Sequence, residues 1–352
     1  MVAEASLLAI TAGLKQASVP ACSYSAQEPL STLVSSAFAT VISELRHLFH
    51  ENNATGRLLG CLEGALDKHV GGDLPPFLPI LLPLLVRGAI DGKPGEAVSV
   101  SLASALLFLS FDLLDDLQDG DERGWWQPLS RAELLLAAAT FPATLPHKFL
   151  VSPEKNLARA LDMSRALASG MEEIATGQAA DLAAFDQPEV DLTAVEHSVA
   201  GKSGAQMGLY ARLAALHAGK DVTEADLWAA WAHGLGSGGQ LSSDLQDVLD
   251  PVWSRDMAAG ARTLPIAFAL QQLEPNSRSG FLGLLHAAKT NQAAQSRARE
   301  WLRGGGALFY TAFRAQVHFT RAEAALSRLD PPAPWRSLLE QLSVRQNVRI
   351  ME

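Results

Sequence analysis

The stretch Phe111-Asp-Leu-Leu-Asp-Asp-Leu-Gln-Asp-Gly120 carries four aspartates, Asp112, Asp115, Asp116 and Asp119, within eight residues. Spacings of three, one and three residues place all four on one stripe of an α-helix. The twelve residues before Asp112 contain no charged side chain, which predicts a buried helix, and Gly120 is a typical helix-ending residue. The carboxylates then repel one another at the negative end of the helix dipole, so we expect cations to neutralise them.

The expected cation is Mg²⁺. Carboxylate ligands without nearby cysteine or histidine suit this ion, which keeps several waters and is commonly shared with substrate phosphates. A solvated acidic helix end is the alternative interpretation of the same stretch.

A second acidic stripe is formed by Gln240, Asp244, Asp247 and Asp250, at spacings of four, three and three. It also shares one helical face and ends its helix, because Pro251 follows. The two acidic stretches predict opposed walls of one cavity, where metal ions hold a diphosphate above an apolar pocket.

Four glycines, Gly234, Gly236, Gly238 and Gly239, precede this stripe. Each glycine inside a helix costs about 1 kcal/mol relative to alanine. We therefore expect close approach by another helix or by a ligand, with a simple loop at the last two glycines as the alternative.

The composition predicts an all-α protein. The chain has 352 residues, 48% of them hydrophobic, and helical periodicity runs from about Leu30 to Val344 with almost no strand-type alternation. We expect a flexible extension over residues 1–30 and a single catalytic domain over residues 31–352. A net charge of −10 argues against a nucleic-acid partner.

The N-terminus lacks the basic region of a signal peptide, and the apolar run Leu74 to Val86 is too short to span a bilayer. Two cysteines, Cys22 and Cys61, fit a reducing compartment. We therefore expect a cytoplasmic protein without a transmembrane segment.

The periodicity predicts a series of helices separated by glycine and proline. Their expected ranges are 96–119, 131–150, 155–184, 190–218, 224–249, 264–273, 278–302 and 305–329, with a short helix after Pro334.

From about residue 65 to 275 the chain resembles the trans-prenyltransferase, or polyprenyl diphosphate synthase, family of class I isoprenoid synthases. Five segments occur in the family's order. They are Asp115-Asp116-Leu-Gln-Asp119, Gly177-Gln178-Ala-Ala-Asp181, Gly201-Lys202-Ser203-Gly204, Gln240-Leu-Ser-Ser243-Asp244-Leu-Gln-Asp247 and Asp256-x-x-x-Gly260-x-x-Thr263-Leu264-Pro265. The first and fourth are similar to the family's aspartate-rich motifs, with Ser243 in place of the usual first aspartate of the second motif.

The resemblance implies an isoprenoid-synthase helical bundle with a central cavity, a prenyl diphosphate substrate, three Mg²⁺ ions and, by analogy, a homodimer. It implies metal ligation by Asp115, Asp116, Asp119, Asp244 and Asp247. It implies substrate contacts by Arg123, Gln178, Asp181, Lys202, Gln240 and Arg262. Next to Arg262 the chain departs from the family, because the usual lysine position holds Ala261. Phe108 and Phe111, on the predicted 96–119 helix, are candidate cavity residues, with ordinary core packing as the alternative.

Three departures from the family pattern fall on residues that bind isopentenyl diphosphate in chain-elongating members. Gly71-Gly72-Asp73-Leu74-Pro75-Pro76 stands where the family has Gly-Gly-Lys-x-x-Arg-Pro, Phe108 stands at a histidine position, and Arg123 is all that remains of an arginine pair. An anionic co-substrate needs such cationic groups. The departures therefore predict that this second diphosphate site is lost.

The main expectation is a Mg²⁺-dependent enzyme that ionises an allylic prenyl diphosphate and then cyclises it, as terpene synthases on this fold do. Transfer to another acceptor is an alternative, because residues 112–121 are similar to the acidic run of the bacterial prenyltransferase that modifies a pheromone-peptide tryptophan. Ordinary chain elongation and a non-catalytic synthase subunit are the remaining alternatives.

Overall fold

A computed structural model describes residues 30–51, 53–70, 77–120, 123–127 and 129–348. These residues form sixteen α-helices and no strand, which confirms the all-α prediction. The helices are α1 Leu30–Phe49, α2 Ala54–Leu59, α3 Glu63–Val70, α4 Leu78–Asp91, α5 Val98–Asp119, α6 Arg131–Pro146, α7 Leu157–Ala184, α8 Leu192–Val199, α9 Ala205–His217, α10 Val222–Leu249, α11 Arg255–Ala259, α12 Leu264–Gln272, α13 Pro275–Ala288, α14 Gln292–Gly304, α15 Ala307–Leu329 and α16 Ala333–Val348. Of the extension predicted over residues 1–30, residues 1–29 lie outside the described residues.

The chain divides into two compact units. Unit 1 comprises residues 1–167, 210–226 and 331–339, and unit 2 comprises residues 168–209, 227–330 and 340–352. The expectation of one catalytic domain over residues 31–352 stays a prediction.

Helix α5 lies at the centre of unit 1, where it packs against α1, α3, α4 and α6. Its buried apolar residues include Val100, Leu106 and Leu109, which are fully enclosed. The helix ends as predicted at Gly120, whose φ of 77° is the left-handed conformation that glycine adopts without strain. The burial of the upstream turns fixes the position of the acidic end.

The glycine-rich segment of α10 lies against two other helical segments of unit 2. A Cβ at Gly234 would come within 2.7 Å of the His318 carbonyl oxygen, and one at Gly236 would overlap the Ser203 carbonyl oxygen. A Cβ at Gly238 would meet the Phe319 ring at 2.7 Å. The helix is continuous through these positions, so the expected close approach is confirmed and the loop alternative is wrong.

One predicted helix is wrong: residues 278–302 form two helices, α13 and α14. The Asn291 side chain accepts a hydrogen bond from the Ala294 N–H at 3.1 Å and so caps the start of α14. An N-cap of this kind stops the helical pattern although the apolar periodicity continues on both sides of it.

Two helical stretches are long and apolar enough to cross a membrane, judged by length and composition alone. They are Pro94–Gln118 and Arg131–Val151. The most apolar window of the first is 67% buried, as is typical of a core helix of a soluble protein, so it is weak support for a membrane span.

Helix α7 crosses the π-helical turn Ala200–Gly204 at Gly177. A Cβ at Gly177 would overlap the Gly201 carbonyl carbon and lie 2.5 Å from the Lys202 nitrogen. Since both neighbours are backbone atoms, they cannot move aside as a flexible side chain would. Gly177 therefore permits the close crossing of these two segments.

We expect Gly177→Ala to lower the free energy of unfolding by about 1–3 kcal/mol, because overpacking outweighs alanine's better helix propensity. The measurement is urea unfolding followed by circular dichroism. Gly283→Ala is the matched control, since Gly283 lies in α13 with open space around its Cβ position. The free energy of unfolding of this control should rise by about 0.5–1 kcal/mol. An equal rise in Gly177→Ala would show that α7 and the π-helical turn do not pack closely at Gly177.

Candidate active site

The first acidic stretch occupies the last two turns of α5 in unit 1. Asp116 is 9% exposed and accepts two hydrogen bonds from Arg123, one of them from Nε to Oδ2 at 2.9 Å and the other from Nη2 to Oδ1. Arg123, predicted as a substrate contact, therefore neutralises a predicted metal ligand. Asp115 is half-buried, and Asp119 is the last residue of the helix.

Asp112 lies one helical turn before Asp115 and Asp116, beside His69 of α3. Burial alone would raise the pKa of Asp112, but the His69 imidazole, whose Nε2 lies 3.6 Å from Asp112 Oδ2, and the charges of Lys68 and Arg123 lower it overall. Asp112 is therefore an anion whose charge is balanced within unit 1.

The two candidate cavity phenylalanines are both half-buried. The Phe108 ring packs edge-to-face against the rings of His69 and Phe77, at centroid distances of 5.0 and 5.2 Å. Their contact with a substrate chain stays a prediction.

In unit 2, Asp244 is 5% exposed and is oriented by a chain of hydrogen bonds. Ser203 Oγ donates to Gln240 Oε1 at 2.7 Å, and Gln240 Nε2 donates to Asp244 Oδ1 at 2.8 Å. Both ends of the Gln240 amide are therefore engaged, which orients the amide toward the carboxylate.

Lys202 lies beside this chain, in the π-helical turn 200–204. Its Nζ donates to Asp181 Oδ2 at 3.3 Å. Asp181 of α7, Lys202 of the π-helical turn and Gln240 of α10, three predicted substrate contacts, thus lie in one region of unit 2. Gln178 lies in α7, three residues before Asp181, and is half-buried.

Two carboxyl groups of unit 2 have pKa values raised far above the ordinary range. Burial is the main cause for Asp244, opposed by the Gln240 hydrogen bond and reinforced by the charges of Asp181 and Asp247, and its pKa reaches about 7. Burial and the charge of Asp244 raise the pKa of Asp256 to about 8. The ionised forms are unfavourable here without a cation.

The carboxylates suit a divalent cation that takes some of its ligands from the protein and the rest from a substrate and water. Within the described residues, no three His, Cys, Asp or Glu side chains converge into a complete metal site. Mg²⁺ does not need such a site, because it is usually bound by one or two carboxylates together with water and phosphate oxygens. Buried Asp244, with Asp181 and Asp247 near it, supplies ligands of this kind.

Asp247 has a second role, which the sequence analysis did not predict. Its Oδ2 accepts hydrogen bonds from Ser254 Oγ at 2.6 Å and the Asp256 N–H at 3.0 Å, and its Oδ1 accepts one from the Arg255 N–H at 3.0 Å. The carboxylate thus ties the end of α10 to the start of α11. Metal ligation by Asp247 stays a prediction. The three hydrogen bonds that its carboxylate accepts leave fewer of its oxygen lone pairs for a metal ion.

Arg262 is engaged by backbone oxygens of unit 2. It is 8% exposed, its Nε donates to the Gln187 carbonyl at 2.8 Å, and its Nη1 donates to the Gly260 carbonyl at 3.0 Å. These bonds join the loop after α7 to the loop after α11. They do not favour the implied diphosphate contact, because the guanidinium is already used structurally.

Sequence reasoning gave no site role to Ser203, Asp256 or His69. The first two stand inside quoted motifs, next to Lys202 and at the start of Asp256-x-x-x-Gly260, so position alone could have indicated them. His69 had no such signal, because only the packing of α3 on α5 brings it to Asp112.

We expect Asp244→Asn to stabilise the metal-free protein increasingly as pH rises from about 4 to about 7, the unfolded and folded pKa values of Asp244. A carboxyl whose folded pKa is raised binds its proton more tightly in the folded state, so the wild type loses stability as pH rises between the unfolded and folded values. The limit is about 1.4 kcal/mol per pH unit. The measurement is urea unfolding in EDTA across this pH range.

Asp250→Asn is the control for this effect. Hydrogen bonds from the Val252 and Trp253 N–H groups lower the pKa of Asp250, so its loss should act in the opposite direction. A difference between Asp244→Asn and wild type that does not change with pH would contradict the assigned shift.

A sequence profile of the family described as polyprenyl synthetase matches residues 88–302. A geranylfarnesyl diphosphate synthase of Aeropyrum pernix is 25% identical over 265 residues, covering 71% of this chain and 82% of that protein. A (2E,6E)-farnesyl diphosphate synthase of Mycobacterium tuberculosis (strain ATCC 25618 / H37Rv) is 27% identical over 260 residues, covering 69% and 71%.

Two solved structures share the fold. The crystal structure of a polyprenyl synthetase from Streptomyces coelicolor A3(2) has a TM-score of 0.76 at 19% identity, covering 90% of this chain and 99% of that one. A polyprenyl synthase from Caulobacter crescentus CB15, complexed with calcium and isoprenyl diphosphate, has a TM-score of 0.73 at 20% identity, covering 92% and 97%. With the family profile extending over more than half of the sequence, this chain belongs to the polyprenyl synthetase family of enzymes and has the class I isoprenoid synthase fold.

Proposed function

We propose that this enzyme is a Mg²⁺-dependent prenyl diphosphate synthase, which ionises an allylic prenyl diphosphate and joins the resulting carbocation to an isoprenoid diphosphate acceptor. One observation carries the proposal: both acidic stretches, 112–119 and 240–247, lie within the family match at residues 88–302. A chain without this chemistry would gain nothing from keeping clustered, partly buried carboxylates, which destabilise a fold.

The curated relatives support chain elongation, an alternative in the sequence analysis, over cyclisation, its main expectation. Both relatives are named as prenyl diphosphate synthases and match about seven tenths of this chain. The case for cyclisation rests on residues 71–76, which lie outside the described residues, and on Phe108 and Arg123.

Cyclisation is retained as the second candidate because of two observations in unit 1. Phe108 packs in a cluster of rings at the position where elongating relatives have a histidine, and Arg123 is paired with Asp116. Both features reduce the positive charge available to a second diphosphate.

Magnesium, when bound, supplies positive charge that neutralises the departing diphosphate as the allylic carbon–oxygen bond breaks. Asp115, Asp116, Asp119 and Asp244 would hold the ions, and Gln240 orients Asp244 for this purpose. Lys202, held by Asp181, would add a fixed positive charge toward the diphosphate. A count of three ions, a common cavity for both stretches, homodimer formation and a cytoplasmic location stay predictions.

We expect the purified enzyme with Mg²⁺ to form longer prenyl diphosphates from geranyl, farnesyl or geranylgeranyl diphosphate, and only when isopentenyl diphosphate is added. Mass spectrometry identifies the products, and a coupled assay follows released diphosphate. Asp115→Asn and Asp244→Asn should each lower the rate at least about a hundredfold, because each removes charge that holds the ions.

Asp162→Asn is the matched control for both variants. Asp162 lies near the start of α7, 3.8 Å from Arg165 in a solvent-exposed ion pair, and its loss should leave the rate unchanged. A cyclic hydrocarbon or alcohol formed from the allylic substrate alone would refute elongation and support cyclisation. Full activity in the Asp115 and Asp244 variants would remove the metal assignment.

We expect Arg123→Gln to lower the free energy of unfolding by about 1–3 kcal/mol in EDTA, and by less in Mg²⁺. The substitution takes a bidentate partner from Asp116, whose side chain is 12% exposed, and a bound cation would replace the lost charge. Urea unfolding under both conditions measures the difference. Arg165→Gln, which breaks the exposed pair with Asp162, is the control and should change the free energy of unfolding by under about 0.5 kcal/mol. If Arg123→Gln loses the same stability with and without Mg²⁺, a bound cation does not replace the charge of Arg123 at Asp116.

A further inference from the structure

The short helix α11 of unit 2 is held at its start by the second acidic stretch. Asp247, in the last turn of α10, accepts hydrogen bonds from the Arg255 and Asp256 N–H groups, each at 3.0 Å. Ser254 Oγ donates to the same carboxylate at 2.6 Å. Because α11 has only five residues, its direction also depends on what holds its other end.

The other end of α11 is joined to the loop after α7. Gly260 closes the helix with a φ of 85°, and its N–H donates to the Asp256 carbonyl at 3.0 Å. The Gly260 carbonyl accepts one hydrogen bond from the Asp186 N–H at 3.1 Å and another from Arg262 Nη1 at 3.0 Å. Arg262 Nε donates to the Gln187 carbonyl at 2.8 Å, so its guanidinium spans both loops.

The Asp186 carboxylate lies between two cationic side chains. Its Oδ1 is 3.9 Å from Arg262 Nη2, and its Oδ2 accepts a hydrogen bond from Lys289 Nζ at the end of α13. The carboxylate therefore joins the loop after α7 to the guanidinium and to a third segment. We call Asp186, Gly260, Arg262 and Lys289 together the loop clasp.

The backbone of the loop clasp is kept in an unfavourable conformation. Asp186 has a φ of 58°, in the left-handed region that most side chains avoid and that Asp and Asn tolerate better. Residues persist in this region only where surrounding contacts hold them, and they are concentrated at functional sites. A Cβ at Gly260 would overlap Asp186 Oδ1, so the clasp also depends on a glycine there.

Helix α11 carries Asp256 toward the carboxylates of the second acidic stretch. Burial, followed by the charges of Asp244 and Asp247, raises the pKa of Asp256 to about 8, so these carboxyl groups lie close enough to interact. A rotation of α11 about its attachment to Asp247 would change the distance from Asp256 to Asp244. It would also disturb the hydrogen bonds that orient the Asp247 carboxylate. The loop clasp opposes this rotation, because it holds the far end of the helix.

We propose that the loop clasp positions α11 so that Asp247 and Asp256 lie beside Asp244 in the geometry that a magnesium–diphosphate group requires, with Asp186 as a positioning residue. This inference deepens the proposed function and rests on it. Residues that orient metal ligands typically change metal affinity by about 10–100-fold when they are lost. The alternative is that the clasp only stabilises the fold.

The test measures two quantities for each variant. Isothermal titration calorimetry gives the Kd of inorganic diphosphate at one fixed Mg²⁺ concentration, and turnover gives the half-saturating Mg²⁺ concentration. Asp186→Ala should raise both about tenfold. Its kcat at saturating Mg²⁺ should stay within about twofold of wild type, because Asp186 acts through α11. Asp186→Asn, which tolerates the left-handed backbone, should give values between those of wild type and Asp186→Ala.

A second variant and a control separate the clasp from charge alone. Gly260→Ala keeps every charge but places a Cβ against Asp186 Oδ1, and it should also raise the Kd. Glu189→Gln removes the same charge as Asp186→Ala from the same loop, where Glu189 pairs with Arg278 at 3.0 Å and is 79% exposed. It should leave both quantities unchanged. Circular dichroism and melting temperature in EDTA establish that each variant folds.

Three outcomes would overturn the inference. If wild type binds magnesium–diphosphate, and Asp186→Ala and Gly260→Ala bind it equally tightly, the clasp only stabilises the fold. If Glu189→Gln weakens binding as much as Asp186→Ala, the loss of negative charge explains the effect. If wild type itself neither binds magnesium–diphosphate nor turns over prenyl diphosphates, the proposed function fails, and this inference fails with it.

Discussion

Repulsion between carboxylates enclosed at helix ends is the constraint on which the candidate site depends. The repulsion is reduced by a different partner at each carboxylate. Asp116 is paired with Arg123, Asp112 faces His69, and Asp181 accepts a hydrogen bond from Lys202. Burial and the charges of nearby Asp181 and Asp247 favour the protonated form of Asp244, although the Gln240 hydrogen bond and the charge of Lys202 oppose them. In unit 2, positive charge from a bound cation would favour the ionised form of Asp244.

Two glycines, which have no side chain, are as important for this arrangement as the charged residues. Gly177 and Gly236 let α7 and α10 approach the π-helical turn 200–204 at backbone distance. At that distance Lys202 reaches Asp181, and Ser203 reaches Gln240. A side chain at either glycine would overlap backbone atoms of the turn and push the segments apart, which would lengthen these hydrogen bonds, so the polar chain to Asp244 depends on these glycines.

The sequence predicted what is periodic or local in the structure. The stripe of α5, its end at Gly120 and the close packing of the glycine-rich α10 follow from spacing and from the absence of side chains. The break between α13 and α14 was missed because it depends on one cap, Asn291. The surroundings of Arg262 and Asp247 were also missed, because their partners are backbone groups of loops whose paths spacing does not indicate.

The π-helical turn 200–204 has a further consequence for the history of this chain. A π-turn holds one residue more than an α-turn, so α8 and α9 present their side chains in two different rotational phases. Removing one residue from the turn would restore a uniform α-helix and rotate everything on one side of it by about 100°. Lys202 and Ser203 could not then both keep their partners, so relatives that keep these two contacts should vary by substitution in this segment, and insertions and deletions should be excluded from it.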